Sequence, residues 1–177
     1  MPANAPVLVG KLVTLRPFGA EDITDQYIGW LNDPRVVRFS NQRFRRHDAE
    51  SCAAYLASFQ HSANHFVSIR RRADDKAIGT MTAYVSLPHQ TVDVGIMVGA
   101  PEVWGQGYGQ DAWNTLLAWL ADRADIRKIT AGTLEGNIGM QRLMQRSGMT
   151  LEARRVAQEI VEGQPQDIVY YARFTDR

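Results

Sequence analysis

The sequence predicts a mixed fold, α/β of the α+β kind, built on a mostly antiparallel sheet of six or seven strands with one parallel pair inside it and about four helices. Three observations carry this. Seven short runs read as strands and four others place apolar residues at helical spacing. Third, the stretch from 91 to 134 reads strand, helix, strand with the length of a crossover, which makes its two strands parallel.

Residues 11–17 alternate Leu12, Thr14 and Arg16 against Val13 and Leu15 and stop at Pro17, a strand ended by a residue without an N–H. Residues 21–31 put Ile23, Tyr27, Ile28 and Leu31 on one helical face, and Asn32-Asp33-Pro34 closes them as a turn. A second helix starts at Asp48, whose carboxylate suits the free amides of a first turn, and runs through Cys52, Tyr55, Leu56 and Phe59. The period then changes. Residues 66–71, 77–86 and 91–98 are strand-like, with connections short enough for antiparallel hairpins. A glycine-rich segment, 99–109, leads into a helix with Ala112, Trp113, Leu116, Leu117 and Leu120 on one face, ending near Arg123. Residues 127–134 form the next strand, and 138–146 a short helix closed by Gly148. Residues 149–156 and 167–174 are the last two strands, around the turn Glu162-Gly163-Gln164-Pro165.

At ~150 residues per domain, 177 residues make one domain, expected over 9–177 behind a flexible tail at 1–8. Twenty Lys+Arg against nineteen Asp+Glu leave a net charge of +1, so no global field drives the chain onto nucleic acid or an acidic membrane. Charge must act locally. The one cysteine, Cys52, excludes an internal disulfide and a multi-thiolate metal site, and it fits a reducing compartment. No run approaches about 18 apolar residues, and the first six lack the basic and apolar parts of a signal peptide. A cytoplasmic protein, monomer or homodimer, is expected. His61 and His65 have the spacing of a helical metal pair, but Ser62-Ala63-Asn64 supplies no catalytic Glu and no third ligand is evident, so no metal is expected.

The sharpest local signal is Trp104-Gly105-Gln106-Gly107-Tyr108-Gly109. Glycines at alternate positions before a helix leave backbone N–H groups uncovered, and the helix start adds partial positive charge, a combination that holds a pyrophosphate. A P-loop would need Lys and Ser or Thr after the last glycine, where this chain has Gln110-Asp111. The dinucleotide fingerprint G-x-G-x-x-A matches residues 107–112 in letters, but eight residues, Pro101 among them, separate Val98 from Gly107. Too little chain follows for the remaining parallel strands. A tight entry turn without a ligand is the other reading.

The order of elements and the segment 94–117 resemble the GNAT superfamily of acetyl-coenzyme-A-dependent N-acetyltransferases. That family's core pattern, Gln or Arg, two residues, Gly, one residue, then Gly or Ala, falls on Trp104, Gly107 and Gly109. Trp104 departs from it. An aromatic there, followed by Gly, a polar residue, Gly and Tyr, is similar to the branch that contains the ribosomal-protein N-terminal acetyltransferases. Leu12-Val13-Thr14-Leu15-Arg16-Pro17 and Trp30-Leu31-Asn32-Asp33-Pro34 resemble that branch's first strand and its next turn, and Asn137 with Gly148 eleven residues on resembles a further family motif.

The resemblance implies that acetyl-coenzyme A, as co-substrate, lies between two splayed parallel strands, 91–98 and 127–134. Its pyrophosphate would meet Trp104, Gly105, Gln106, Gly107, Tyr108, Gly109 and Gln110, and its pantetheine arm the backbone of Ile96, Met97 and Val98. Asn137 would bond the arm or serve only as a helix cap. A primary amine, with a pKa near ~10, must lose a proton before it attacks. Strand alternation puts Asp93 with Gly95 and Met97, opposite Val92, Val94, Ile96 and Val98. A carboxylate at that place serves as base in some family members, so Asp93 is the candidate base, directly or through water; a solvated strand carboxylate is the alternative. The backbone N–H of Met97 or Val98 is the candidate donor to the developing oxyanion.

Many relatives have a tyrosine seven residues after the Asn. Met144 stands there and cannot donate a proton, so either another donor acts or none is needed. Tyr170 and Tyr171, on alternating faces of the last strand, are the candidate substitutes, with Tyr170 the candidate acid and a core or surface tyrosine the competing reading for each. Arg35, Arg38, Arg43, Arg45 and Arg46, with no acid between them, fall where the family covers its acceptor, which suits a phosphate or carboxylate on the acceptor as well as a solvated loop. Trp30, Phe39 and Arg43 are the candidate acceptor contacts, with core packing the competing reading for the aromatics. The expected activity is acetyl transfer to a primary amine of an amino sugar or other small metabolite. A protein N-terminus as acceptor, or a coenzyme-A-binding module without chemistry, are the alternatives.

Overall fold

Alternation in the apolar runs builds one open sheet. The computed structural model describes residues 5–176. Its strands are β1 (Leu8–Val9), β2 (Val13–Pro17), β3 (His65–Arg71), β4 (Ala77–Ser86), β5 (Thr91–Val98), β6 (Lys128–Leu134), β7 (Thr150–Val161) and β8 (Gln164–Phe174). The sheet order is β1-β2-β3-β4-β5-β6-β8-β7, and every neighbouring pair is antiparallel except β5 with β6. The helices are α1 (Asp25–Leu31), α2 (Pro34–Val37), α3 (Ala49–Ala57), α4 (Tyr108–Ala121) and α5 (Ile138–Arg146). The expected fold class and, among the described residues, the single parallel pair are thus found, with eight strands and five α-helices there in place of six or seven and about four.

Each addition has a local cause. β1 is two residues long, opposite Leu15 and Thr14, too short to leave a period in the sequence. It falls at the edge of the expected tail, whose first four residues lie outside the described ones and whose Ala5 is buried. α2 continues the expected Asn32-Asp33-Pro34 turn because Pro34 sits at its first position and the Asp33 carboxylate accepts from the Arg35 amide at 2.9 Å. α1 starts later than expected, at a Thr24 cap that accepts from the Tyr27 amide at 3.2 Å. β7 extends past 156, because a bulge between Arg155 and Glu159 breaks the alternation without ending the strand. The Ala157 amide, with φ 49°, donates there to Asp167 at 2.8 Å.

Adjacent strand residues point to opposite faces, and the two faces carry different helices. Trp119 of α4 meets His65 edge-on, and the Tyr171 hydroxyl donates to Gln141 of α5, so α4 and α5 share one face. On the other, Tyr55 of α3 and Phe59, in the turn that follows it, pack on Phe66, which also stacks on Phe18. α4 buries Ala112, Trp113, Leu116, Leu117 and Leu120 completely, each large side chain contributing about 1.5–3 kcal/mol. Asp111, in its first turn, accepts from the amides of Lys11, Leu12 and Val13 at 3.1, 2.8 and 3.1 Å. The glycine-rich helix start is thereby fastened to the beginning of β2.

Candidate active site

β5 and β6 pair only at Thr91 with Lys128, Val92 with Ile129 and Asp93 with Thr130. Beyond Asp93, β5 stays with β4 as far as Val98 opposite Gly79, while β6 stays with β8 as far as Leu134 opposite Ile168. The two parallel strands therefore part, and main-chain groups on their facing edges are left without a strand partner. A cleft of about 950 Å³ opens in the split.

The glycine-rich turn closes one side of this cleft. Gly105 and Gly107 hold φ of 74° and 89°, a backbone that side chains disfavour, and no side chain caps the start of α4. Among the described residues none accepts from the amides of 105–110; the first to donate is that of Asp111, to the Gly107 carbonyl at 3.0 Å. Six uncovered donors at a helix N-terminus make an anion site. Trp104, Gly105, Gly107, Tyr108, Gly109 and Gln110 line the cleft, as do Ile96, Met97, Val98 and Asn137. Gln106 does not: its side chain turns away to donate to the Glu102 carbonyl at 2.7 Å. Trp104 donates its indole N–H to the Val98 carbonyl at 2.8 Å, tying the turn to the end of β5 and occupying one of the expected pantetheine acceptors. Asn137 caps α5, its side chain accepting from the Met140 amide at 3.2 Å and donating to Thr133 at 3.1 Å. Capping and facing the cleft coexist.

Asp93 sits where the strands part and is not among the lining side chains, two residues before Gly95, which is. It accepts from the Thr130 hydroxyl at 2.8 Å. Surrounding protein pushes its carboxyl above the ordinary 3.8, and the Thr130 bond opposes this. Because the side chain keeps substantial solvent contact, the desolvation is partial. Tyr170 lies one strand beyond the split, its ring 2.9 Å from where a Cβ on Gly132 would stand, with Arg155 over the ring; Gly132 lines the cleft and Tyr170 does not. Tyr171 is buried on the α5 face and bonded to Gln141 and Gln145. Met144 is fully buried in the core.

Two expected acceptor contacts, Trp30 and Arg43, are not among the side chains that line the cleft. Trp30 is buried under the backbone of Gly99, where a Cβ has no room, so it supports the wall from behind. Arg43 is consumed in fastening: it donates to the carbonyls of Ser40 and Ile160 at 2.8 and 2.9 Å and faces Glu159 at 3.8 Å. Phe39 does line the cleft. Sequence reasoning missed Tyr55, Thr80 and Thr82, which line the side bearing α3, and Arg146 at the end of α5. Register supplies the signal for Thr80 and Thr82, opposite Met97 and Gly95. His61 lies in a turn and His65 opens β3 bonded to Arg123, so they form no helical pair; among the described residues no group of three His, Cys, Asp or Glu could hold a metal.

A parallel pair split around an uncapped, glycine-rich helix start defines a cleft suited to an extended ligand that carries a diphosphate. The family model described as an acetyltransferase (GNAT) domain matches residues 13–150, and the chain belongs to this family. A GNAT-family acetyltransferase from Bacillus anthracis superposes with TM-score 0.82 at 16% identity, over 97% of this chain and 100% of that one. Spermidine N-acetyltransferase from Vibrio cholerae, in complex with coenzyme A and spermine, gives 0.81 at 17% identity, over 93% and 96%. RimL, a ribosomal alpha-N-protein acetyltransferase in complex with coenzyme A, gives 0.80 at 17% identity, over 96% and 98%. At these identities the likeness is one of fold. No curated protein matches the sequence. Among the described residues no helix is long and apolar enough to cross a membrane.

Proposed function

We propose that the protein transfers acetyl from acetyl-coenzyme A to the primary amine of a small molecule by direct attack. The carrying observation is the row of uncovered amides at 105–110 beside the split between β5 and β6, which fits a diphosphate followed by an extended arm. Bound acetyl-coenzyme A supplies the acyl group as a thioester: the amine nitrogen bonds to the carbonyl carbon, the C–S bond breaks, the thiol leaves, and one amine proton must be taken up.

This chain's residues divide that work. The amides of 105–110 hold the diphosphate, and the main-chain groups of Ile96 and the N–H of Val98, which face the split, align the arm beside Met97, with Asn137 at its side. The Val98 N–H, on the split side of β5, stands ready for the developing oxyanion. Asp93 takes the amine proton through a water at Gly95, since its side chain stands back from the cleft wall. With Met144 in the core, Tyr170, acting across Gly132, is the candidate side-chain donor to the leaving thiolate. A thiol near ~8.5 is a tolerable leaving group without such help. The one cysteine, Cys52, is buried and forms no disulfide, in keeping with a cytoplasmic enzyme.

Thiol release from acetyl-coenzyme A, measured over a panel of amino sugars, amino acids, polyamines and N-terminal peptides, tests the reading. Turnover on a small amine supports it. Turnover confined to peptides would replace it with protein N-terminal acetylation, and coenzyme A binding without any turnover with a module that has lost its chemistry.

A further inference from the structure

The five arginines between α1 and α3 are not equivalent. Arg35 is clamped on Asp33 at 2.6 Å, Arg38 pairs with Glu162 at 3.3 Å, and Arg43 is spent on Ser40, Ile160 and Glu159. Arg45 and Arg46 have no carboxylate within ion-pair distance among the described residues, and both line the cleft. They stand on the same side as Ser51 and Tyr55 of α3, across the sheet from α5 and its Arg146. The neighbouring acid, Asp48, caps α3 by accepting from the Ser51 amide at 2.8 Å. His47, next in sequence, lines the cleft too, and its Nε2 is buried without a hydrogen-bond partner.

The described residues that line the cleft include Arg35, Arg45, Arg46 and Arg146 and not one Asp or Glu. A site for a polycation needs carboxylates to replace the water around each ammonium, and this wall has none to offer. Two uncommitted guanidiniums at its acceptor side instead match an oxyanion, because each presents a fork of N–H donors to phosphate or carboxylate oxygens.

From this charge balance we infer that the acceptor is an anionic amine, a molecule carrying a phosphate or carboxylate that Arg45 and Arg46 hold while its amino group reaches the split strands. This deepens the proposed function and rests on it. The bound anion also fixes the orientation of the amine, so part of the gain appears in turnover and not only in KM.

The test compares matched amines with and without the anion: glucosamine with glucosamine 6-phosphate, and ethanolamine with phosphoethanolamine, alongside spermidine, each by thiol release at saturating acetyl-coenzyme A. The phosphorylated member is expected to win by about tenfold or more in kcat/KM. Raised salt should shrink that ratio, and so should Arg45→Gln with Arg46→Gln. Lys76→Gln, which removes a positive charge from the β3–β4 turn, should leave it unchanged. Equal rates for both members, or spermidine as best acceptor, would overturn the inference and leave acetyl transfer standing. Calorimetry of the same amines with coenzyme A already saturating separates the two claims. Arginine-dependent binding of the phosphorylated amine without turnover would uphold the inference against the enzyme reading, and absence of any charge preference in binding would end it.

Discussion

Acidifying the protein should destabilise it through one buried imidazole. His65 is 6% exposed at the start of β3, with Trp119 edge-on to its ring and Arg123 Nη1 at 2.7 Å from Nε2. Arg123 can only donate, so Nε2 accepts and the proton of the neutral ring sits on Nδ1. Burial, with the Arg123 charge second and Asp125 opposing weakly, lowers its pKa from 6.5 to about 4. The unfolded chain then binds a proton at His65 below pH 6.5 that the folded chain refuses until about 4, so stability is intact above this window and falls as pH drops through it. Linkage between 6.5 and about 4 puts the loss at about 2 kcal/mol at pH 5 and about 3 kcal/mol at pH 4. Urea unfolding of the protein and of His65→Gln, whose amide oxygen can still accept from Arg123, reads this out. The variant lacks the titration, and its stability should decline less steeply between pH 7 and pH 5 by about the same 2 kcal/mol. Parallel pH curves for the two proteins would show that His65 is protonated, or solvated, in the folded state and refute the reasoning.

Asp93→Asn should lower kcat by ~10²-fold or more and abolish the acid limb of the pH–rate profile, because the base form is lost as pH falls through the raised carboxyl pKa. Thr130→Val removes the bond that holds that pKa down, so its acid limb should move to higher pH; an unmoved limb would exclude Asp93 as the titrating group. Trp104→Phe loses a hydrogen bond worth about 0.5–1.5 kcal/mol between turn and strand, and KM for acetyl-coenzyme A should rise several-fold with little change in melting temperature. Gly107→Val forces a β-branched side chain onto a φ of 89° in the anion turn, and coenzyme A affinity measured by calorimetry should drop at least about tenfold.

What the sequence made legible follows from how local each signal is. The alternation of Val13 and Leu15, the helical face from Ala112 to Leu120 and the crossover spacing are written within single elements, and they returned the sheet with its parallel pair. The turn at 105–110 was equally readable, since glycine at a positive φ leaves a trace in composition. β1 and α2 escaped because two and four residues span only about one period of a strand or a helix and so show no repeat, and the bulge at Ala157 hid the second half of β7. The acceptor side was the least legible. Nothing local distinguishes Arg43 from Arg45: the first is taken up by the Ile160 carbonyl, 117 positions away, and the second faces the cleft. Trp30 reads as a possible cleft aromatic until Gly99 is seen against its ring. Such partners lie far off in sequence, and only the folded chain brings them together.

The most direct measurement is an NMR titration of uniformly 15N-labelled protein with coenzyme A. The backbone amides of Gly105, Gly107, Tyr108, Gly109 and Gln110 should move furthest and saturate together, as free donors acquire phosphate oxygens. Saturable binding that leaves those resonances in place while others shift would put the diphosphate elsewhere and contradict the account.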